Sequence, residues 1–567
     1  MKLIDVYRRQ FLISFPYSAS LVAELKSSFH TRKFNPEKMA WTVPVNNKNF
    51  NILLNFASRN GFSVTKALVE KTKNLVVYTD NTEQLISALE SSEIYSKLRD
   101  FQREGARFLI SKKKALLADA CGVGKTVQSL AAVSTGSLFP SLIVVKAVLK
   151  LNWANEITKW TKDSFHVISG KKNYELPKAD HYIINYDILS DWQKVITELN
   201  PAVIIFDESH CIKNNKSKRG KAAEEVAANA EYTFLLSGTP IVNRPSELIH
   251  QLKIIDRLDE FGGWQKFGMN YCGGTKTRWG WDFTGATNLV ELHAKLKDTC
   301  MLRRTKEEVL KELPPKQRTD VYLEIDNRDE YNFVEAELVE WLQSQAEDDI
   351  TFSLRIADLP YDKQEKEKYR RDQLLEHGNV LAEQLVRIEK LKQVAVKGKL
   401  ASAVNWIDNF LDSGEKLVLF CTHKQVQKYL YETFPEALTI FGTDSNEIRN
   451  KNVAQFQNNP EAKLIICSID AAAEGITLTA SSNVAFLEFA WTPGKMWQAE
   501  DRCHRIGSVG ECVNSYYLLG SNTVDIDIYA LLAQKGKILN SVLDGSYDST
   551  EFNTSILDDL TKVLRDK

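Results

Sequence analysis

Chemistry is most legible in Asp119-Ala120-Cys121-Gly122-Val123-Gly124-Lys125-Thr126, which follows the apolar run 115–118 and opens an amphipathic stretch. Gly122 and Gly124 allow successive backbone N–H groups to curl round phosphates. Lys125 would bridge the β and γ phosphates, and the Thr126 hydroxyl would hold Mg²⁺. The strict phosphate-loop pattern has glycine where this chain has Asp119, so by itself the segment is also compatible with glycines that cap a helix. Its companion is Val203-Ile204-Ile205-Phe206-Asp207-Glu208-Ser209-His210, an apolar run ending in two carboxylates. Such a strand end puts Asp207 in reach of a Mg²⁺ ion, directly or through water, and sets Glu208 beside it to polarise an attacking water. Standing alone, the same residues could cap the next helix.

These groups need a scaffold, and the hydrophobic pattern supplies one. Short apolar runs at 115–118, 142–145, 182–185, 203–206 and 234–236 alternate with amphipathic segments, the rhythm of a doubly wound parallel sheet. The rhythm resumes at 417–421, 464–467, 484–487 and 513–519. Between the two lies a connector in which nine of the twelve residues 361–372 are charged, leading into a helix with Leu374, Leu381, Leu385 and Ile388 on one face. The expected division is an N-terminal module at 1–94, a first lobe at 95–325, a helical linker or insertion at 326–395, and a second lobe with C-terminal helices at 396–567. A chain of 567 residues exceeds what one core serves, at roughly 150 residues per domain.

Composition excludes several classes. With 43% hydrophobic and 26% charged residues the chain is neither disordered nor collagenous. Eight scattered cysteines without a C-x-x-C pair, and no secretory leader or spanning run, point to a reducing cytoplasmic or nuclear compartment and no membrane. The net charge of −1 means that any nucleic-acid partner must be held by local basic surface, such as residues 1–50 with eight basic and three acidic side chains.

Taken in order, Gln102, the Gly-Lys-Thr loop, Asp207-Glu208-Ser209-His210, Ser237-Gly238-Thr239-Pro240 and 498–507 (Gln-Ala-Glu-Asp-Arg-Cys-His-Arg-Ile-Gly) resemble the Swi/Snf-type ATPases of helicase superfamily two, over about 95–540. The resemblance implies an α/β fold of two RecA-like parallel-sheet lobes with helical insertions and a small α+β N-terminal module, with ATP and Mg²⁺ at the interface. It implies nucleotide contacts from Gln102 (adenine), Asp119, Gly122, Val123, Gly124, Lys125, Thr126, Gly475 and Gln498. A helix carrying Gln498, Arg502 and Arg505 at spacings of four and three would present one face to the nucleotide, with Arg505 as the finger and Arg502 its neighbour. Implied DNA contacts are Lys146 and Trp153 in a strand-tracking segment, Lys218 after the acidic motif, Ser237 and Thr239, and Thr422 of the second lobe.

Two further stretches resemble the annealing-helicase branch. They are Trp279-Gly280-Trp281-Asp282-Phe283 with 301–306 (Met-Leu-Arg-Arg-Thr-Lys), and an N-terminal 32–41 segment similar to a HARP module, in which Lys33 and Trp41 would meet DNA. Ala120 and Ser508 depart from the family pattern without removing a group that phosphate chemistry needs. The expectation is a monomeric DNA-dependent ATPase that translocates on duplex or forked DNA, anneals strands or remodels forks, with a locally positive cleft between the lobes. A strand-separating DNA or RNA helicase and a nucleotide-gated, non-enzymatic DNA-binding scaffold stay open as alternatives.

Overall fold

Runs such as Val203–Phe206 and Leu417–Phe420 have no polar face to offer water, so they must become strands covered on both sides. The computed structural model of the chain describes all residues except 1, 8–9, 30–31, 37, 46, 66–67, 69–80, 136–137, 242–243, 278–279, 358–379, 473–475, 509 and 545–555. The charged run 361–372 and Leu374 lie outside the described residues.

The N-terminal module is a five-stranded sheet of β1 (Leu3–Tyr7), β2 (Gln10–Ser14), β3 (Lys33–Asn35), β4 (Ala40–Pro44) and β5 (Ser63–Val64), in the order β3-β4-β2-β1-β5. Helices Ala19–Ser28 and Asn47–Asn60 contribute Leu25, Phe50, Leu53 and Phe56 to its core with Ile4, Phe11 and Ile13. Lys33 is exposed. Trp41 is half-buried against that core, edge-on to Phe34 at 5.4 Å and beneath the Lys26 ammonium, so much of its ring is spent on the module itself.

The first lobe is a seven-stranded, wholly parallel sheet built from β6 (Lys114–Leu117), β7 (Ser141–Val145), β8 (Phe165–Val167), β9 (His181–Asn185), β10 (Val203–Asp207), β11 (Tyr232–Leu236) and β14 (Met301–Leu302), with a small β12–β13 hairpin (Thr275–Thr277, Gly280–Asp282) outside it. The order β14-β6-β11-β10-β7-β9-β8 sets the β6 and β10 ends on one edge of the sheet, flanking β11. The second lobe is a parallel sheet of β15 (Lys316–Leu323), β16 (Leu417–Cys421), β17 (Leu438–Ile440), β18 (Leu464–Ser468), β19 (Asn483–Phe486) and β20 (Val513–Gly520), ordered β15-β20-β19-β16-β18-β17. These are two RecA-like lobes with helices on both faces.

Two boundaries move. Residues 316–323, expected in the first lobe, form β15, which pairs along its whole length with β20 and completes the second sheet. Among the described residues, the 326–395 linker contributes two long helices, Arg328–Ala357 and the first part of Val380–Leu411, whose Tyr331, Leu338, Ile388 and Leu391 lie inside the second-lobe core. Its apolar face also differs from the expected one, since Leu385 is 42% exposed. The helix Val524–Asp544 spans both lobes: Ile528 joins the second-lobe core and Leu543 the first. No helix among the described residues is long and apolar enough to cross a membrane.

At the end of β16, His423 sits between two carboxylates, bonding Glu488 through Nδ1 and facing Glu389 Oε2 at 3.3 Å through Nε2. Glu389 and then Glu488 raise its pKa from the ordinary 6.5 to about 9. A group raised in the fold stabilises fully below its unfolded pKa and loses that contribution as pH climbs through its folded value. His423→Ala is therefore expected to cost about 1 kcal/mol at pH 6, a value discounted for partial solvent screening, and almost nothing near pH 10. Urea denaturation at both pH values checks it, and an equal cost at both would disprove the coupling.

Candidate functional site

The phosphate loop fills the turn between β6 and helix Lys125–Thr135. Gly122 and Gly124 have φ of 83° and 91°, a backbone region that side chains resist, which is why glycine stands at both places. Lys125 Nζ donates to the carbonyls of Asp119 (2.7 Å) and Ala120 (3.1 Å), so the ammonium is held at the mouth of the loop. Gln102 packs behind the loop: its Oε1 accepts from Arg99 N and its Nε2 donates to Val123 O at 3.2 Å. A Cβ on Gly124 would come within 2.5 Å of that Nε2.

Asp119 stands otherwise than the resemblance implies. Its carboxylate is fully buried beneath the loop, gripped by Arg304 Nε (3.0 Å) and Nη2 (2.6 Å) and by Gln128 Nε2. All its described hydrogen bonds lie beneath the loop, with the protein itself. The Val123 side chain is likewise buried, leaving only its backbone to serve the loop. Gln102, expected to read adenine, has both ends of its amide engaged with the protein.

Across the sheet, β10 ends at Asp207 and the chain turns sharply at Glu208, where φ is 50°. Trp153 Nε1 donates to Asp207 Oδ2 (2.8 Å), Glu208 N to Oδ1 (3.0 Å), and Tyr186 Oη to the Asp207 carbonyl (2.6 Å). Burial and the neighbouring Glu208 charge raise the Asp207 pKa. Burial also works against the Glu208 carboxylate, but His210, Lys146 and Lys125 outweigh it and hold Glu208 ionised well below the usual range. His210 Nδ1 lies 3.3 Å from Glu208 Oε2 and 3.4 Å from Ser237 Oγ. Burial disfavours its imidazolium, yet Cys211 and Glu208 raise its pKa to about 9.

Trp153 also departs from the expected place. It was expected to contact DNA, but it is 1% exposed and its one polar atom is used on Asp207. Ser237 and Thr239 are buried as well, so neither meets DNA on an open surface. Ser237 Oγ accepts from Thr239 N, and Thr239 Oγ1 accepts from Gln498 Nε2 of the second lobe at 3.3 Å. Gln498, expected at the nucleotide, thus bridges the lobes. Lys146 is half-buried, Lys218 and Thr422 are exposed, and Gly475 lies outside the described residues.

The second lobe delivers its arginines differently from expectation. The helix Pro493–Glu500 stops before Arg502, and the chain continues in turns, with Arg502 N on Ala499 O and Cys503 N on Glu500 O. At the helix end the Glu500 side chain is fully buried against Arg318, Lys316 and the Tyr517 hydroxyl, which ties that end to the sheet. Arg502 Nε and Nη1 donate to Gln498 O and Ile476 O. Arg505 Nη1 donates to Ile476 O (2.9 Å) and Thr477 Oγ1 (3.0 Å), both neutral acceptors of its own lobe. Its Cγ would be 3.3 Å from a Cβ on Gly122, so the arginine lies directly over the loop.

Lys125, Thr126, Asp207, Glu208, Arg502 and Arg505 all line one cavity of about 110 Å³ between the lobes. Asp501 lines it too, giving three cations and three carboxylates; the cavity itself is balanced and not the positive cleft that was expected. The donor set fits Mg²⁺, a hard cation that takes a hydroxyl and one or two carboxylates beside substrate phosphates. Glu208 Oε2, buried there with only the His210 ring nitrogen beside it at 3.3 Å, keeps acceptor capacity that such a site can use. Arg304 and Lys306, which hold the two halves of the site, were missed as site residues because their partners are some 185 and more residues away in sequence.

A phosphate loop and an acidic strand end on one parallel-sheet lobe, faced by two arginines from another, define a two-lobed nucleoside triphosphatase. The SNF2-related domain family matches residues 101–374 and the helicase conserved C-terminal domain residues 401–507. The chain belongs to the SNF2 family of ATPases. It is 32% identical to the SWI/SNF-related matrix-associated actin-dependent regulator of chromatin subfamily A-like protein 1 of Xenopus tropicalis, over 82% of this chain and 47% of that protein. It is 32% identical to the DNA annealing helicase and endonuclease ZRANB3 of Bos taurus, over 80% and 41%. The chain spans less than half the length of these relatives. A solved Sulfolobus solfataricus SWI2/SNF2 ATPase core in complex with dsDNA is similar over 79% of this chain and 93% of that one, at 25% identity and a TM-score of 0.36.

Proposed function

We propose that this chain is a DNA-dependent ATPase that translocates along duplex or forked DNA and uses the movement to anneal strands or remodel forks. The observation that supports it is the convergence of Lys125, Glu208 and Arg505 from two lobes on one cavity. Lys125 exchanges the Asp119 and Ala120 carbonyls for the β and γ phosphates. Glu208, kept ionised by His210, orients and polarises the attacking water. Arg505, fixed by Ile476 and Thr477, offers a preorganised cation to the charge that grows on the γ-phosphate oxygens. Held by Thr126 and Asp207, Mg²⁺ would neutralise phosphate charge during transfer.

Hydrolysis is tied to movement through Glu208–His210–Ser237 and Thr239–Gln498, a run of polar contacts from the water-activating carboxylate to the opposite lobe. Breaking the last contact on lobe opening shifts one lobe against the other. Lys146, Lys218 and Thr422 are the residues proposed to touch the DNA backbone, with Lys33 and Trp41 of the N-terminal module at a junction. The working unit is proposed as a monomer in the cytoplasm or nucleus.

Phosphate release measured with no nucleic acid, with duplex, with a fork and with RNA tests the reading. Duplex or fork DNA is expected to raise the rate at least tenfold and RNA is not, while Lys125→Ala and Glu208→Gln remove the stimulated rate. Full stimulated activity in either variant, or equal stimulation by RNA, would sink it.

A further inference from the structure

The arginine loop poses a positioning problem. Because the helix ends at Glu500, no continuous hydrogen-bond ladder fixes Arg502 and Arg505, and a displacement of about 1 Å at a charge-stabilising group costs on the order of a hundredfold in rate. Lys306 answers it. The residue is only 5% exposed, a position that is costly for a charge unless close partners satisfy it. Those partners are Asp501 Oδ1 at 2.8 Å and the His504 carbonyl at 2.5 Å, the residues immediately before Arg502 and Arg505.

The segment that carries Lys306 holds the other half of the site as well. Arg303 donates to the carbonyls of Ala118 (2.8 Å) and Gly238 (3.1 Å), and Arg304 forks onto Asp119 under the phosphate loop. Thr305 then caps a short helix that begins at Lys306, its Oγ1 accepting from Glu308 N while Glu308 accepts from Thr305 N, so the backbone between the two grips is rigid. A second clasp follows at His504 Nε2 and Pro314 O, 2.8 Å apart. Four consecutive residues, 303–306, thus touch both the loop that takes phosphate and the loop that carries the arginines.

We infer that Lys306 is a positioning residue for phosphoryl transfer: through Asp501 and the His504 carbonyl it sets Arg505 over the phosphate loop, using a strap anchored by Arg304. This rests on the reading that Arg505 stabilises the transition state, and the test separates the two. Lys306→Met keeps the length of the side chain and leaves Asp501 paired with Lys316. Its DNA-stimulated kcat is expected to fall about a hundredfold, with the KM for ATP and the affinity for duplex DNA within twofold of the parent and Lys306→Arg recovering part of the rate.

The deciding measurement is the cycle with Arg505→Ala. If Lys306 acts through Arg505, the double variant is no slower than Arg505→Ala alone; multiplying losses would overturn the inference. A Lys306→Met protein with full kcat beside an inactive Arg505→Ala defeats this inference alone, whereas an active Arg505→Ala defeats the underlying reading. Should the methionine variant melt well below the parent, Asp501→Asn carries the same cycle, since it weakens the grip on the loop while the His504 carbonyl still accepts from Lys306.

Discussion

Arg505→Ala is expected to lower the kcat for ATP hydrolysis by about a thousandfold or more while nucleotide binding to the first lobe persists. The size follows from the role: a finger arginine acts on charge that appears only as the γ-phosphoryl group transfers, and its removal costs about 10³–10⁵ in kcat. The geometry supports this, since Arg505 lies over Gly122 with its hydrogen bonds on neutral groups, leaving its charge uncommitted to a carboxylate there. Burial and the adjacent Arg502 press its pKa down to about 10, still far above working pH, so the group stays cationic. Arg505→Lys is expected to recover little, because a point charge on a shorter fork does not match phosphate oxygens in two places. Steady-state kinetics together with equilibrium binding of a fluorescent ATP analogue make the comparison. A loss of less than tenfold would remove Arg505 from the mechanism.

Arg304→Met is the largest expected stability effect in the first lobe. Asp119 is fully buried, and Arg304 supplies both of its charged hydrogen bonds, with Gln128 adding a neutral one. Removing one partner of a buried pair leaves an uncompensated charge, typically at a cost of about 3–5 kcal/mol. Adding Asp119→Asn to Arg304→Met removes that charge and is expected to return most of the loss, even though the double variant lacks the ion pair altogether. Denaturant unfolding of the three variants decides it. If the double variant is no more stable than Arg304→Met, the cost lies in packing and not in the stranded carboxylate.

What was legible in the sequence was what is local. Gly122 and Gly124 need positive φ, Asp207 and Glu208 end an apolar strand, and both features sit within eight-residue windows, so pattern alone located them. The parallel sheets announced themselves through runs buried on both faces, although the three-residue β8 and the two-residue β14 were too short to register. What failed was long-range or atomic. Trp153 is a DNA contact by the resemblance of its segment, but its indole reaches 54 residues onward to Asp207. Asp119 read as a loop acid because its partner, Arg304, is 185 residues away. The spacing of Gln498, Arg502 and Arg505 suits a helix, whereas the chain leaves the helix at Glu500, whose carboxylate is tied to Lys316 and Arg318 of a distant strand.

The strand order carries a consequence for how the molecule is made. The first sheet has all its strands once Leu302 has left the ribosome, so that lobe can close while the rest is still being synthesised. β15 follows at once, yet its ladder partner β20 arrives only at Val513, nearly two hundred residues later. Until then Lys316–Leu323 has no neighbour in its sheet, and closing so long a loop makes this pairing slow. The long helices Arg328–Ala357 and Val380–Leu411 emerge within that interval. The strap at 303–306 therefore has its Asp119 anchor early and its Asp501 anchor last, so the arginine loop is seated only after the phosphate loop it faces already exists.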